Sequence, residues 1–121
     1  MDKKILIIDD SEQDKKIMVR YLTRAGFDKI ATAENGNNGL QKFEAENPDI
    51  VILDTMMPDT VGFEVCKKIR ELKGFQRPKI VITTGSIDAV DALRAKESGA
   101  DDYCVKTSDC EPLLNAINKL F

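Results

Sequence analysis

Three carboxylates, one hydroxyl and one ammonium follow short apolar runs in this sequence. Asp9 and Asp10 follow the first run, Asp54 ends the second, Thr84 ends the third, and Lys106 follows the fourth. Such runs are typical of buried parallel strands, and open α/β sheets bind ligands at the carboxyl edge of their strands. We therefore expect these five side chains to meet at one edge of a sheet.

This set of side chains predicts phosphoryl transfer to a carboxylate. Two unit charges about 4 Å apart repel by roughly 4 kcal/mol at an effective dielectric near 20, so clustered carboxylates either raise a pKa or hold a cation. Oxygen ligands with open positions suit Mg²⁺, and an aspartate beside that ion can act as a nucleophile. Lys106 and Thr84 would then neutralise and hydrogen-bond the phosphoryl oxygens.

Taken one at a time, the same residues have simpler interpretations. Asp54 alone, or Asp9 and Asp10 before Ser11, would be helix caps or charges that complement a helix dipole. Lys106 alone would be a surface lysine. The functional interpretation depends on all of them lying at the ends of different strands of one predicted sheet.

Composition restricts the class of protein. The chain has 121 residues, 42% hydrophobic and 32% charged, as expected for one globular domain with a real core. Its apolar runs are too short to span a membrane, and a net charge of −3 argues against nucleic acid as a direct partner. It contains no histidine, which excludes serine-triad hydrolysis, histidine–zinc catalysis and phosphohistidine formation within this chain.

The cysteines indicate a reducing compartment. There are three, Cys66, Cys104 and Cys110, without a C-x-x-C pair, which predicts free thiols and a cytoplasmic protein. Cys66 falls on an apolar helix face, which favours burial over reactivity.

Strand-like runs alternate five times with amphipathic segments, the pattern of a parallel sheet covered on both faces. Ser11 is a good N-cap for the first helix, and Pro112 fits the first turn of the last. The predicted strands cover about 3–9, 29–33, 50–54, 79–84 and 101–105, and helices two and four cover about 36–46 and 87–98. These elements fill the chain, so we expect a single domain over 1–121.

The chain resembles a response-regulator receiver domain, the CheY-like fold of two-component signalling. The resemblance covers all 121 residues and implies a flavodoxin-like (βα)₅ fold with strand order 2-1-3-4-5. The motifs that carry it are Ile8-Asp9-Asp10, Asp54-Thr55-Met56-Met57-Pro58 followed by Gly62, Thr84-Gly85, and Asp102-Tyr103-Cys104-Val105-Lys106.

The resemblance also implies a role for each site residue. Asp54 accepts the phosphoryl group, and Mg²⁺ is held by Asp10, Asp54 and the backbone carbonyl of Met56, with Asp9 acting through a water. Lys106 pairs with the phosphoryl oxygens. The switch residues are Thr84, which moves to the phosphoryl group, and Tyr103, which turns inward with it.

Two positions depart from the family pattern. Thr107 stands where the family usually has proline after the lysine, often with a cis bond. A cis bond before threonine costs about 2.5–4 kcal/mol, and the sequence is compatible with either isomer of the Lys106–Thr107 peptide. The direction in which the Lys106 side chain points depends on the path of this loop. Gly85 replaces a small residue such as alanine, which keeps that position small.

The resemblance implies a histidine kinase or a histidine phosphotransfer protein as the phosphoryl donor, and a downstream protein as the reader. The readout surface is the fourth helix, fifth strand and fifth helix, which also offers a homodimer interface. The domain is then a two-state switch that catalyses only its own aspartyl phosphorylation and dephosphorylation. An alternative within the family is a pseudo-receiver that acts as a protein scaffold without phosphorylation.

Two other α/β classes fit less well. An aspartyl phosphatase of the haloacid-dehalogenase type needs a second aspartate two residues after the nucleophile, where this chain has Met56, and it needs room for a cap domain. An FMN-binding flavodoxin needs a phosphate loop after the first strand. Here that loop carries Asp9, Asp10 and Glu12, which repel phosphate unless a metal intervenes.

Overall fold

A computed structural model describes residues 2–121, in which five strands and five helices alternate along the chain. All neighbouring strands are parallel, in the order β2-β1-β3-β4-β5, which confirms the predicted flavodoxin-like fold. The elements are β1 Lys4–Ile8, α1 Glu12–Arg24, β2 Lys29–Ala33, α2 Gly36–Glu46, β3 Ile50–Asp54, α3 Gly62–Glu71, β4 Lys79–Thr84, α4 Ala89–Glu97, β5 Asp102–Val105 and α5 Glu111–Leu120.

The central strands are apolar because helices cover both faces of the sheet. Residues 5–8 of β1, 50–53 of β3 and 80–82 of β4 are all buried, whereas β2 at the sheet edge is largely half-buried. Such continuous apolar runs are typical of parallel strands between two helical layers.

The core consists of one apolar layer on each side of the sheet. Helices α1 and α5 contribute to one layer, including Met18, Leu22, Leu113 and Ile117. Helices α2, α3 and α4 contribute to the other layer. All three cysteines are free thiols and buried, and burial was predicted for Cys66. Among residues 2–121, no helix is long and apolar enough to cross a membrane.

Strand register fixes which residues meet at the carboxyl edge. Ile8 pairs with Leu53, so the residues that follow them, Asp9 and Asp54, lie side by side at this edge. Thr84 pairs with Val105, which places Lys106 just beyond β5 on the same edge. The order of the strands therefore assembles the site from residues that are far apart in sequence.

Candidate functional site

The end of β3 is fixed by hydrogen bonds of the residue that follows Asp54. The backbone N–H of Thr55 donates to the Thr83 carbonyl at 3.1 Å, and its hydroxyl donates to the same oxygen at 2.7 Å. The Thr55 carbonyl accepts the N–H of Gly62, the first residue of α3, at 2.7 Å. The Asp54 backbone is thereby held between β4 and α3.

Asp9, Asp10 and Asp54 form one cluster, with an oxygen of each within 4.8 Å of an oxygen of the others. Asp9 is buried, Asp10 is exposed and Asp54 lies between these extremes. Oδ1 of Asp9 accepts the N–H of Ser11 at 2.9 Å, which fixes the carboxylate below the start of α1. The cluster thus runs from the protein interior to solvent.

Lys106 reaches into this cluster. Its Nζ lies 2.8 Å from Oδ2 of Asp9 and 3.1 Å from Oδ1 of Asp54. The Lys106–Thr107 peptide is trans, as are the other peptide bonds among residues 2–121. The trans isomer therefore brings the ammonium to Asp54 without a proline after the lysine.

Ionisation in the cluster follows from burial and mutual charge. Burial raises the pKa of Asp54, the charge of Asp9 raises it further, and Lys106 only partly offsets both. Burial opposes the charge of Lys106, but a hydrogen bond to Asp14 and the carboxylates of Asp9 and Asp54 outweigh it and raise its pKa. The ammonium is therefore charged in the functional pH range.

A hard cation fits these residues. The donor set consists of carboxylate oxygens, which Mg²⁺ prefers, and exposed Asp10 leaves the cluster open to ligands from solvent. Oδ2 of Asp9 is fully buried and has no hydrogen-bond partner, so Lys106 gives it an electrostatic contact only. An additional cation or a water bound to one would complete its surroundings.

Neither of the two predicted switch residues forms a hydrogen bond with the cluster. The Thr84 hydroxyl donates to the Ser86 carbonyl at 3.0 Å. Tyr103 packs against the core on the α4 side, and its hydroxyl is buried without a hydrogen-bond partner. Met56 lies in the loop after Asp54, where it forms an isolated antiparallel bridge with Val61 and exposes 66% of its surface.

One residue of the site was missed by the sequence analysis. Asp14, in the first turn of α1, accepts a hydrogen bond of 2.8 Å from Nζ of Lys106. It follows no strand, so the rule that found the other residues cannot find it. The available signal was its position three residues after the N-cap Ser11, whose hydroxyl accepts the Asp14 N–H at 3.1 Å.

Curated relatives of the chain include a transcriptional regulatory protein and a response regulator. The chain is 42% identical over 106 residues to the alkaline phosphatase synthesis transcriptional regulatory protein PhoP of Bacillus subtilis, and this match covers 88% of the chain and 43% of that protein. It is 35% identical to the response regulator ArlR of Staphylococcus aureus, over 96% of the chain and 51% of that protein. The chain thus spans about half the length of these relatives.

Solved structures show the same fold over nearly the whole chain. The chemotaxis response regulator CheY4 of Vibrio cholerae superposes with a TM-score of 0.89 at 28% identity, covering 98% of both chains. The response regulator TrrA of Thermotoga maritima, solved in complex with Mg²⁺ and beryllium fluoride, has a TM-score of 0.86 at 35% identity, covering 98% of this chain and 99% of that one.

The family comparison decides between the α/β classes that the sequence left open. The model of the response regulator receiver domain matches residues 5–118. That range includes the acidic cluster, both predicted switch positions and the lysine, and it decides against the phosphatase and flavodoxin alternatives. The chain belongs to the response-regulator receiver domain family.

Proposed function

We propose that this receiver domain is a phosphorylation-dependent switch and that Asp54 is its phosphoryl acceptor. The observation that carries the proposal is the position of Asp54, which ends β3 in an acidic cluster with Oδ1 3.1 Å from the ammonium of Lys106. The donor is a histidine kinase or a histidine phosphotransfer protein. Whichever donates, the chain itself supplies the nucleophile and one fixed positive charge.

In the transfer step, a carboxylate oxygen of Asp54 forms a bond to phosphorus as the bond between phosphorus and the donor imidazole nitrogen breaks. The product is an acyl phosphate. Lys106 donates to the phosphoryl oxygens. Asp10, Asp54 and the Met56 carbonyl would hold Mg²⁺, with Asp9 acting through a water, and the bound ion would neutralise charge at those oxygens. Beyond this transfer and the hydrolysis of the acyl phosphate, in which water takes the phosphoryl group as inorganic phosphate and frees the Asp54 carboxylate, we assign the domain no enzymatic activity.

The proposed response uses Thr84 and Tyr103. Thr84 exchanges its bond to Ser86 for one to the phosphoryl group, and this frees the loop that leads into α4. Tyr103 turns further into the space that Thr84 vacates. Its buried hydroxyl without a partner supports this role, because an unsatisfied buried polar group gains free energy by finding a partner elsewhere.

The readout surface that we propose comprises α4, β5 and α5. Ile87, Val90 and Leu93 form an apolar stripe along the exposed side of α4 and the loop before it, with 55%, 66% and 56% of their surfaces accessible. A downstream protein or a second copy of this chain would cover that stripe. We further propose that residues 1–121 form one cytoplasmic receiver domain that contacts neither nucleic acid nor membrane.

Modification by a small phosphodonor tests the central claim. With acetyl phosphate and Mg²⁺, the parent protein should gain the mass of one phosphoryl group, whereas Asp54→Asn should not. Asp28→Asn, at an exposed loop aspartate, is the control and should be modified like the parent. Equal modification of Asp54→Asn and the parent would exclude Asp54 as the acceptor.

The same assay addresses the scaffold alternative, which Thr107 favours because the family usually has proline at that position. If the chain is a pseudo-receiver, the parent, Asp54→Asn and Asp28→Asn should all remain unmodified. It would also bind no beryllofluoride in the presence of Mg²⁺. Modification of the parent alone is enough to reject it.

A further inference from the structure

We propose that Asp14 restrains Lys106 in the resting domain and so opposes phosphorylation of Asp54. Asp14 is in this view a positioning residue that competes with the phosphoryl group for the ammonium. The inference rests on the proposed function, since it concerns how readily the same site accepts a phosphoryl group.

Geometry makes Asp14 the main partner of Lys106. The ammonium has three N–H donors and lies within 3.1 Å of three carboxylates. The contact with Asp14 is a hydrogen bond of 2.8 Å, whereas the buried Oδ2 of Asp9 lies at the same distance without hydrogen-bond geometry. Lys106 is therefore turned toward α1 rather than fully toward Asp54.

The Asp14 carboxylate is held in place by the start of α1. The backbone N–H of Asp14 donates to the Ser11 hydroxyl, and this bond fixes the backbone of the first helical turn. An acidic side chain in that turn is also favoured by the helix dipole. Its side chain is 37% exposed, against 13% for Asp54, so Asp14 contacts the ammonium from the solvent side.

Charge determines the direction of the effect. Asp9, Asp10, Asp14 and Asp54 bring four negative charges to one ammonium, and a bound Mg²⁺ would still leave a net negative charge. A phosphoryl group adds further negative charge and needs the Lys106 donors. Removal of the Asp14 charge should therefore favour a bound anion and disfavour a bound cation.

Binding of Mg²⁺ alone and of beryllofluoride at saturating Mg²⁺ separates this role from a structural one. In Asp14→Asn, beryllofluoride should bind about three- to tenfold more tightly, the range of a partly exposed charged hydrogen bond, while Mg²⁺ binds more weakly. A variant with a damaged site would bind both more weakly. Glu12→Gln is the matched control, because Glu12 lies in the same turn but pairs with Lys15.

Each result bears on the inference. Tighter beryllofluoride binding in Asp14→Asn and little change in Glu12→Gln supports it. Equal changes in both variants mean that general charge acts, and unchanged or weaker binding in Asp14→Asn means that Asp14 does not restrain Lys106; both overturn it. If the parent binds no beryllofluoride, the proposed function itself is wrong and this inference is wrong with it.

A measurement on the resting protein tests the contact without any phosphoryl analogue. In a double-mutant cycle of unfolding free energies with Asp14→Asn and Lys106→Met, we expect a favourable coupling between the two residues. A cycle with Glu12→Gln in place of Asp14→Asn should give none. The absence of coupling between Asp14 and Lys106 would overturn the inference even if beryllofluoride binds to the parent.

Discussion

Gly62 packs directly against the backbone carbonyl of Asp54, so closely that a Cβ at residue 62 would overlap that oxygen. The Gly62 N–H also donates to the carbonyl of Thr55 at 2.7 Å. The first residue of α3 thus supports the strand end that carries the proposed phosphoryl acceptor. Only glycine allows this approach, because the obstructing atoms belong to the backbone.

Gly62→Ala should therefore destabilise the domain and weaken Mg²⁺ binding. Overpacking against backbone costs about 1–3 kcal/mol, and any relief requires the end of β3 to move. Gly85→Ala is the control, because a Cβ at residue 85 has no atom within 4 Å; we expect a change within about 0.5 kcal/mol. Urea unfolding measures both variants, and equal stability of the two would contradict this account.

Arg70 should be important for stability although it lies far from the acidic cluster. Its guanidinium donates to the carbonyls of Pro78 and Gly99 and forms an ion pair of 2.9 Å with Asp101. A lysine cannot reproduce this set of bonds. We expect Arg70→Lys to lower the free energy of unfolding by about 2–3 kcal/mol.

Arg94→Lys is the matched control for Arg70→Lys. Arg94 pairs with Asp91 at 3.8 Å, and 65% of its side chain is exposed. Such surface pairs contribute about 0–1 kcal/mol, so this variant should unfold close to the parent. A loss as large as that in Arg70→Lys would show that the number of bonds is not what decides stability here.

Asp54→Asn should stabilise the resting fold at neutral pH. Burial and Asp9 raise the pKa of Asp54, so the folded state binds its proton more tightly than the unfolded state does. The resulting penalty is present above the folded-state pKa and disappears below the ordinary aspartate value of about 3.9. The gain in Tm should therefore be lost near pH 3, and added Mg²⁺ should reduce it. A lower Tm than the parent at pH 7 would contradict this.

Asp59 should contribute stability with the opposite pH dependence. Its carboxylate accepts the N–H groups of Gly36 and Asn37, both at 2.9 Å, and these bonds lower its pKa. Stability from such a group is present above the unfolded-state pKa and is lost as pH falls through the folded-state value. Asp59→Asn should be less stable at pH 7 and should lose less stability on acidification, whereas Asp28→Asn should follow the parent in urea unfolding.

Leu93→Glu should prevent association through α4 without affecting phosphorylation. Leu93 is 56% exposed and belongs to the apolar stripe of the proposed readout surface. If a second copy covers the stripe, the parent with Mg²⁺ and beryllofluoride should sediment as a dimer and Leu93→Glu as a monomer. Phe121→Glu, at a residue exposed to the same extent, should remain dimeric. Dimers of Leu93→Glu would place the interface elsewhere.

The sequence predicted the sheet well because each strand is marked by an apolar run with a polar end. The predicted bounds of α2 agree with the structure, since Asn35 caps its start and Pro48 follows its end. The fourth helix begins two residues later than predicted, at Ala89. Asp88 is its N-cap and accepts the N–H of Val90, a signal that the sequence contained.

The residues that the sequence analysis missed act through long-range contacts. Asp14 and Lys106 are 92 positions apart, and the contact depends on how α1 lies against the end of β5. In the sequence, Arg70 and Asp59 could not be distinguished from ordinary charged surface residues. A side chain's partner across the fold follows from packing, which strand patterns and local motifs do not specify.

The bonds of Arg70 also determine how α4 can move. The end of this helix is held by Arg70 at Gly99 and by Cys66 at Ser98, whereas its first turn is capped by its own Asp88. The C-terminal end of α4 is therefore fixed to the rest of the domain, whereas its N-terminal end, about 13 Å away by the usual rise per residue, is held by the local cap. We therefore expect a displacement of the loop after Thr84 to move the first turn of α4, where the apolar stripe begins, more than its last turn.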